Sequence, residues 1–209
     1  PLRRQRQMCI RDRYKVSTPL LLHSDLHVCD SSGKRLADSL MQYQHLSPQW
    51  STLPELIIQN HITACTMIIN EALRKIIRFP FPEAAICHDW YLALLASVTG
   101  KIVFMNDCQI DYRKHDNNVF GPQHYSVGAC FRMMKQGRDK MKYRLRLTQQ
   151  QAMAFLQQYG DLFSSSNIEI LTSWGRIDQQ SKFEKIASCW KYCFKKNTWL
   201  RTLGMWWAL

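Results

Sequence analysis

Residues 88–107 read HDWYLALLASVTGKIVFMND, and this stretch decides the fold class. Trp90, Ala93, Leu94 and Val98 recur at helical spacing with the small Ser97 beside them, so a helix starts at His88-Asp89. Gly100 closes it in the C′ manner. Residues 102–105 then read as a strand, and residues 109–113 as its partner strand. Upstream, Leu20-Leu21-Leu22 follows Pro19 as a short apolar run, expected to be a buried strand as in a parallel sheet. Asp30-Ser31-Ser32-Gly33-Lys34 is a turn by composition. Residues 53–59 read as a short helix and residues 65–69 as another buried strand. Asn70 is placed as the N-cap of a helix over 71–78, which Phe79-Pro80-Phe81-Pro82 breaks. Strands alternate with helices, so this part is α/β.

The character changes beyond Gly121. Residues 124–209 read as several helices rich in Lys, Arg, Met and Trp, with no further strand, no internal repeat and no low-complexity tract. A loose boundary falls near residue 120. It separates an α/β part, residues 14–120, from a basic helical region, residues 121–209.

Of the 209 residues 46% are apolar, enough for a packed core. The formal charge of +12 at pH 7 bears on partners, not on fold: nucleic acid, an anionic membrane surface or a phosphorylated ligand. The eight cysteines form no C-x-x-C, and no histidine pair has zinc-finger spacing. Reduced, mostly buried thiols of a cytoplasmic protein are expected instead of a structural zinc site. No apolar run reaches the length of a membrane span, and no signal-peptide pattern is read at the start. Residues 1–13 stand apart. Met8 to Arg13 resembles a translated transposon-end adapter of sequencing libraries, so this arm is expected to be an assembly scar and not a nucleic-acid-binding arm. Five Arg and one Asp fall within it, and the remaining chain carries +8.

Three polar clusters follow or precede predicted elements: His23-Ser24-Asp25-Leu26 after the first strand, His88-Asp89-Trp90 at a helix start, and residues 112–118, YRKHDNN, at a strand end. In open α/β sheets ligands gather beyond the carboxyl ends of strands. Each cluster also has an ordinary structural reading. Asp25 can bond a turn, Asp89 can cap a helix whose dipole favours a negative charge, and His115 can be a loop histidine.

Taken in order, LLLHSDLHVCD (20–30), QNHITACTMIINEAL (59–73), HDWYLALLASVTGKIVFMND (88–107) and YRKHDNN (112–118) resemble the second half of family-2 glycosyltransferases. The kind is the bacterial rhamnosyltransferase-like one of surface polysaccharide assembly. The resemblance covers about half the chain and rests on the order and spacing of the four blocks. Ala64 departs from it, since relatives usually carry Gly there; a methyl group narrows the acceptor pocket. The resemblance implies a GT-A fold, a Rossmann-like sheet, here without its N-terminal nucleotide-binding half and followed by helices. The Asp-x-Asp motif of that half, which holds a divalent metal (Mg or Mn) against the donor diphosphate, has no match in the chain.

What the resemblance implies for residues is specific. Asp89 corresponds to the base that takes the acceptor proton in an inverting transfer. His88 and Trp90 shape the pocket, Trp90 as an apolar wall for a sugar face. Arg113 offers charge to the diphosphate, Asp25 is a substrate-binding candidate, and His115 reaches the metal or diphosphate. The expected partners are a nucleotide-sugar donor and a saccharide or lipid-linked acceptor. The fragment is expected to be inactive alone.

The chain end is basic and rich in Trp, which suits a peripheral position on the inner face of a membrane or, equally, a core or dimer contact. A basic nucleic-acid-binding module and a non-catalytic interaction module are the alternative functions. No nucleic acid is expected, because no recognised binding motif occurs.

Overall fold

The computed structural model describes residues 14–114, 124–135 and 137–209. Among them the chain is mixed α/β, with a four-stranded sheet centred on β1 (Leu20–Cys29). β4 (Lys101–Arg113) runs parallel to β1 along its whole length, from Leu20 opposite Lys101 to Cys29 opposite Arg113. The other edge of β1 is shared by two short antiparallel strands. β3 (Ile68–Ile69) pairs with Leu22 and Leu21, and β2 (Arg35–Ala37) pairs near Val28 and Cys29. The sheet is therefore mixed, where a parallel one was expected.

Three other expectations are corrected. The first strand does not stop at Leu22, so His23 and Asp25 lie inside β1 and not beyond its end. The two strands predicted at 102–105 and 109–113 are one strand, β4. The polar run Asn106-Asp107-Cys108 looks like a break, yet the ten-residue ladder of β1 carries β4 through it. Ser24 faces Met105 while Asp25 faces Cys108, so β4 takes up the extra residues as a bulge. Finally, the strand expected at 65–69 shrinks to the two residues of β3. Thr66 N–H donates to the Thr63 carbonyl and Met67 N–H to that of Ala64, turning residues 64–66 into a 3₁₀ turn.

The Asp30–Lys34 turn and the Asn70 cap hold. Asp30 Oδ1 accepts from the backbone N–H of Ser32 (2.9 Å) and Lys34 (3.0 Å), and Gly33 has φ +89°. α1 (Leu40–Gln44) and α2 (Leu53–Leu56) follow. Asn70 caps α3 (Glu71–Ile76) by accepting from Leu73 N–H at 3.0 Å. The same oxygen accepts from Leu20 N–H (2.9 Å), and its Nδ2 donates to the Thr18 carbonyl (2.8 Å). One cap thus ties α3 to the start of β1.

α4 (His88–Thr99) is the crossover helix between the two parallel strands. Tyr91 to Ala96 are all buried, so α4 is covered on every side and not on one stripe alone. Gly100 ends it, but in an extended conformation (φ −159°) and not the left-handed one of a C′ glycine. The reason for glycine is space: a Cβ there would lie 1.9 Å from the Pro19 carbonyl oxygen.

The helical region comprises α5 (Val127–Lys135), α6 (Arg138–Tyr159), α7 (Ser165–Gly175), α8 (Lys182–Lys191) and α9 (Trp199–Ala208). It shares one core with the sheet part. Tyr91 of α4 meets Phe155 edge-on at 5.3 Å and donates its hydroxyl to Gln158 Oε1 at 2.8 Å. Gln151 accepts from Ile86 N–H (2.8 Å), and the Tyr159 hydroxyl from Arg78 N–H (2.8 Å). Among the described residues no helix is long and apolar enough to cross a membrane.

Gly100→Ala is expected to lower stability by about 3 kcal/mol, since backbone and not a flexible side chain must give way. The urea midpoint measures this; a shift within error would show that the Pro19 contact is not tight.

Candidate functional site

Asp89 stands in the first turn of α4, half-buried. The N-cap, Cys87, makes no side-chain capping bond, and the carboxylate of Asp89 does that work two residues later. Its Oδ1 accepts from Trp90 N–H (2.6 Å), and its Oδ2 from Ala64 N–H (3.1 Å) in the 64–66 turn. Asp89 is therefore both a helix-start acid and the pin that holds the 64–66 turn.

Two thiols flank this carboxylate. Burial, and donation of the S–H to Asp89, push the Cys87 thiol up to about 12. Cys65 is exposed overall, yet partial burial of its sulfur and the Asp89 charge raise it as well. Both are held protonated around a neighbouring anion. Tyr112, near the carboxyl end of β4, is raised chiefly by burial and then by the proximity of Cys65. Asp89, Cys65, Cys87 and Tyr112 thus form one neighbourhood at the strand ends, where an open α/β sheet places ligands. Of these, Asp89 is the one to which the resemblance gave a chemical role, and Tyr112 opens the 112–118 cluster; the two thiols were not singled out. Cys29, Cys65, Cys87, Cys108, Cys189 and Cys193 are free, but of these only Cys29 and Cys189 are buried, fewer than expected.

Asp25 is placed elsewhere. It is buried in β1, and its carboxylate is taken up by the protein: Oδ1 accepts from Leu26 N–H (2.8 Å) and Met41 N–H (3.2 Å), and Oδ2 from the Ser39 hydroxyl. Ser39 in turn caps α1. The substrate-binding reading of Asp25 gives way to a structural one, in which it ties β1, opposite the β4 bulge, to the start of α1.

Trp90 is half-buried and packs against the core, with its indole N–H donating to the Leu56 carbonyl of α2. It is a joint between α2 and α4, not an open sugar-stacking wall. His88 is exposed beside Asp89, and Arg113 is exposed at the end of β4. His115 lies outside the described residues, as do residues 1–13 and the boundary near residue 120. Among the described residues no three His, Cys, Asp or Glu side chains could together hold a metal ion. Two concavities, one lined by Arg146, Met153 and Gly175 and one by Ser51, Gly100 and Asn167, do not include Asp89.

His23 in β1 and His61, just before the 64–66 turn in sequence, form a buried pair. His23 and His61 meet edge-on at 5.3 Å, and none of their ring nitrogens has a hydrogen-bond partner among the described residues. Burial first, then repulsion from His61, pushes His23 down to about 3; burial pushes His61 down to about 4. The unfolded chain takes up these protons near pH 6.5, the folded chain only well below it.

Their contribution to stability is complete above pH 6.5 and declines as pH falls toward 4, with a slope approaching about 2.7 kcal/mol per pH unit for two protons. Urea midpoints from pH 7.5 down to about 4.5 should fall, and His61→Leu should flatten the fall by roughly half. Equal slopes for the two proteins would contradict the pair's role. Asp25→Ala should cost about 3 kcal/mol by stranding three donors; a loss under about 1 kcal/mol would return Asp25 to the ligand-binding candidates. No protein-family model, curated protein or solved structure matches this chain.

Proposed function

We propose that this chain carries the acceptor-side, base-bearing part of an inverting nucleotide-sugar glycosyltransferase of GT-A type, of the rhamnosyltransferase-like kind used in surface polysaccharide assembly. The observation that supports it is the setting of Asp89. It is half-buried at the N-terminus of α4, with its carboxylate oriented by two backbone N–H groups and Cys65 beside it.

An ionised carboxylate has about four lone-pair sites. The bonds from Ala64 and Trp90 fix its plane and leave acceptor capacity for a sugar hydroxyl. The acceptor hydroxyl gives its proton to Asp89 as its oxygen attacks the anomeric carbon. The bond from that carbon to the donor diphosphate breaks, and the nucleoside diphosphate leaves with the electron pair. Attack from the face opposite the leaving group inverts the anomeric centre. Cys65 and Cys87, kept as thiols, add no competing charge beside the carboxylate. A divalent metal, Mg or Mn, is the cofactor expected of this family, where it stabilises charge on the leaving diphosphate. The donor is expected to be bound by a nucleotide-binding half, so this chain alone is expected to be inactive.

The test joins the chain to its upstream coding sequence and measures transfer from a panel of nucleotide sugars to saccharide and lipid-linked acceptors. Asp89→Asn keeps the shape and is expected to lower kcat by about 10²- to 10⁴-fold, with a smaller change in KM. Turnover at the wild-type rate would reduce Asp89 to a helix-start acid and leave a non-catalytic interaction module.

A further inference from the structure

The C-terminal helices carry a feature that does not depend on Asp89. α8 turns Phe183, Ile186 and Trp190 outward at positions i, i+3 and i+7; Phe183 is 87% and Trp190 70% exposed. Its opposite side, with Cys189 and Lys185, is buried. α9 repeats the pattern. Trp199, Leu203 and Trp207, at i, i+4 and i+8, face out, Trp199 at 72% exposure, while Leu200, Gly204, Met205 and Ala208 are buried. The Trp190 and Trp206 rings, 6.1 Å apart, bring the two helices together. Single exposed apolar residues are ordinary; six on two neighbouring helices, three of them Trp, mark a surface that is covered in use.

The charge around this surface says by what. Residues 182–209 hold six Lys or Arg and one Glu, of which Lys185 is buried, donates to the Leu209 carbonyl (2.8 Å) and does not face out. Lys182, Lys191 and Lys195 are exposed, Lys191 being paired with Glu169 and Lys195 lying over the Trp50 ring. Lys196 is crowded by burial and by the cations Arg201 and Arg144, which push it down to about 8. A contact between proteins buries Trp but is depleted of Lys, whereas Trp with Lys and Arg is the composition of a face that lies at lipid-headgroup depth. Ten residues of helix span about 15 Å, half the hydrocarbon core, so these helices lie along a bilayer and do not cross it.

We propose that α8 and α9 dock this chain on an anionic membrane surface, with Phe183, Ile186, Trp190, Trp199, Leu203 and Trp207 entering the headgroup layer and the neighbouring cations facing lipid phosphates. The docking stands whether or not the chain belongs to a glycosyltransferase.

The experiment is co-sedimentation of the whole chain with vesicles of phosphatidylcholine alone and with vesicles containing about one third phosphatidylglycerol. Partitioning is expected to be at least about tenfold stronger to the anionic vesicles and to weaken with salt. Trp190→Glu with Trp199→Glu is expected to reduce it at least about tenfold. Both side chains are exposed, so the urea midpoint should be kept; Phe183→Ser, measured alone, gives a second reading in the same direction. Three outcomes overturn the proposal: no sedimentation with either vesicle, binding that the double variant retains, or self-association that the double variant abolishes without any vesicle binding. The last assigns the face to a second copy of the chain.

Discussion

Lys101 N–H donates to the Pro19 carbonyl at 2.9 Å, and the approach is so close that Gly100 has no room for a Cβ. This contact sets β4 beside β1 at their first residues, and their parallel ladder follows from it. It also fixes where α4 must end. A helix that finishes at the start of the strands runs back over the sheet, so its first turn lies toward their far ends. Asp89 reaches the neighbourhood of Tyr112 because of a constraint at the opposite end of the helix. The complete burial of Tyr91 to Ala96 then locks α4 between the sheet and α6.

The parts of this arrangement that were legible in the sequence are the local ones. The Asn70 cap, the Asp30–Gly33 turn, the start of α4 and the helical nature of the C-terminal region all follow from side chains acting within a few residues of themselves. What the sequence concealed depends on partners far along the chain. The polar run at 106–108 reads as a break, and only the unbroken length of β1 makes it the middle of a strand. The apolar run at 65–69 reads as a strand, and the turn bonds at Thr66 and Met67 take most of it away. Gly100 was picked out as a helix terminator, but the demand for glycine comes from Pro19, eighty-one residues earlier.

The site was legible to the same degree. Asp89 emerged from its place at a helix start, a local signal. Cys65 joins it only through the 64–66 turn, which no spacing announces; Cys87, two residues before Asp89, was within reach of a search for thiols beside a candidate base. Asp25 misled because an acid following an apolar run looks the same whether it faces a ligand or, as here, Ser39 and two backbone N–H groups. Trp90 likewise has its N–H committed to Leu56. Under the proposed function the chemistry rests on one carboxylate, while Trp90 holds the helix that carries it and Asp25 holds β1 to α1.

Such a carboxylate has a use as a base only if a donor-binding half is encoded next to it. A long, adapter-free sequencing read across the locus tests this most directly. The account predicts that the reading frame continues upstream of residue 14 into a strand–helix–strand region that ends in an Asp-x-Asp motif. Genuine residues 1–13 with a start codon close upstream of them and no such region would contradict it and leave Asp89 as the pin of the 64–66 turn.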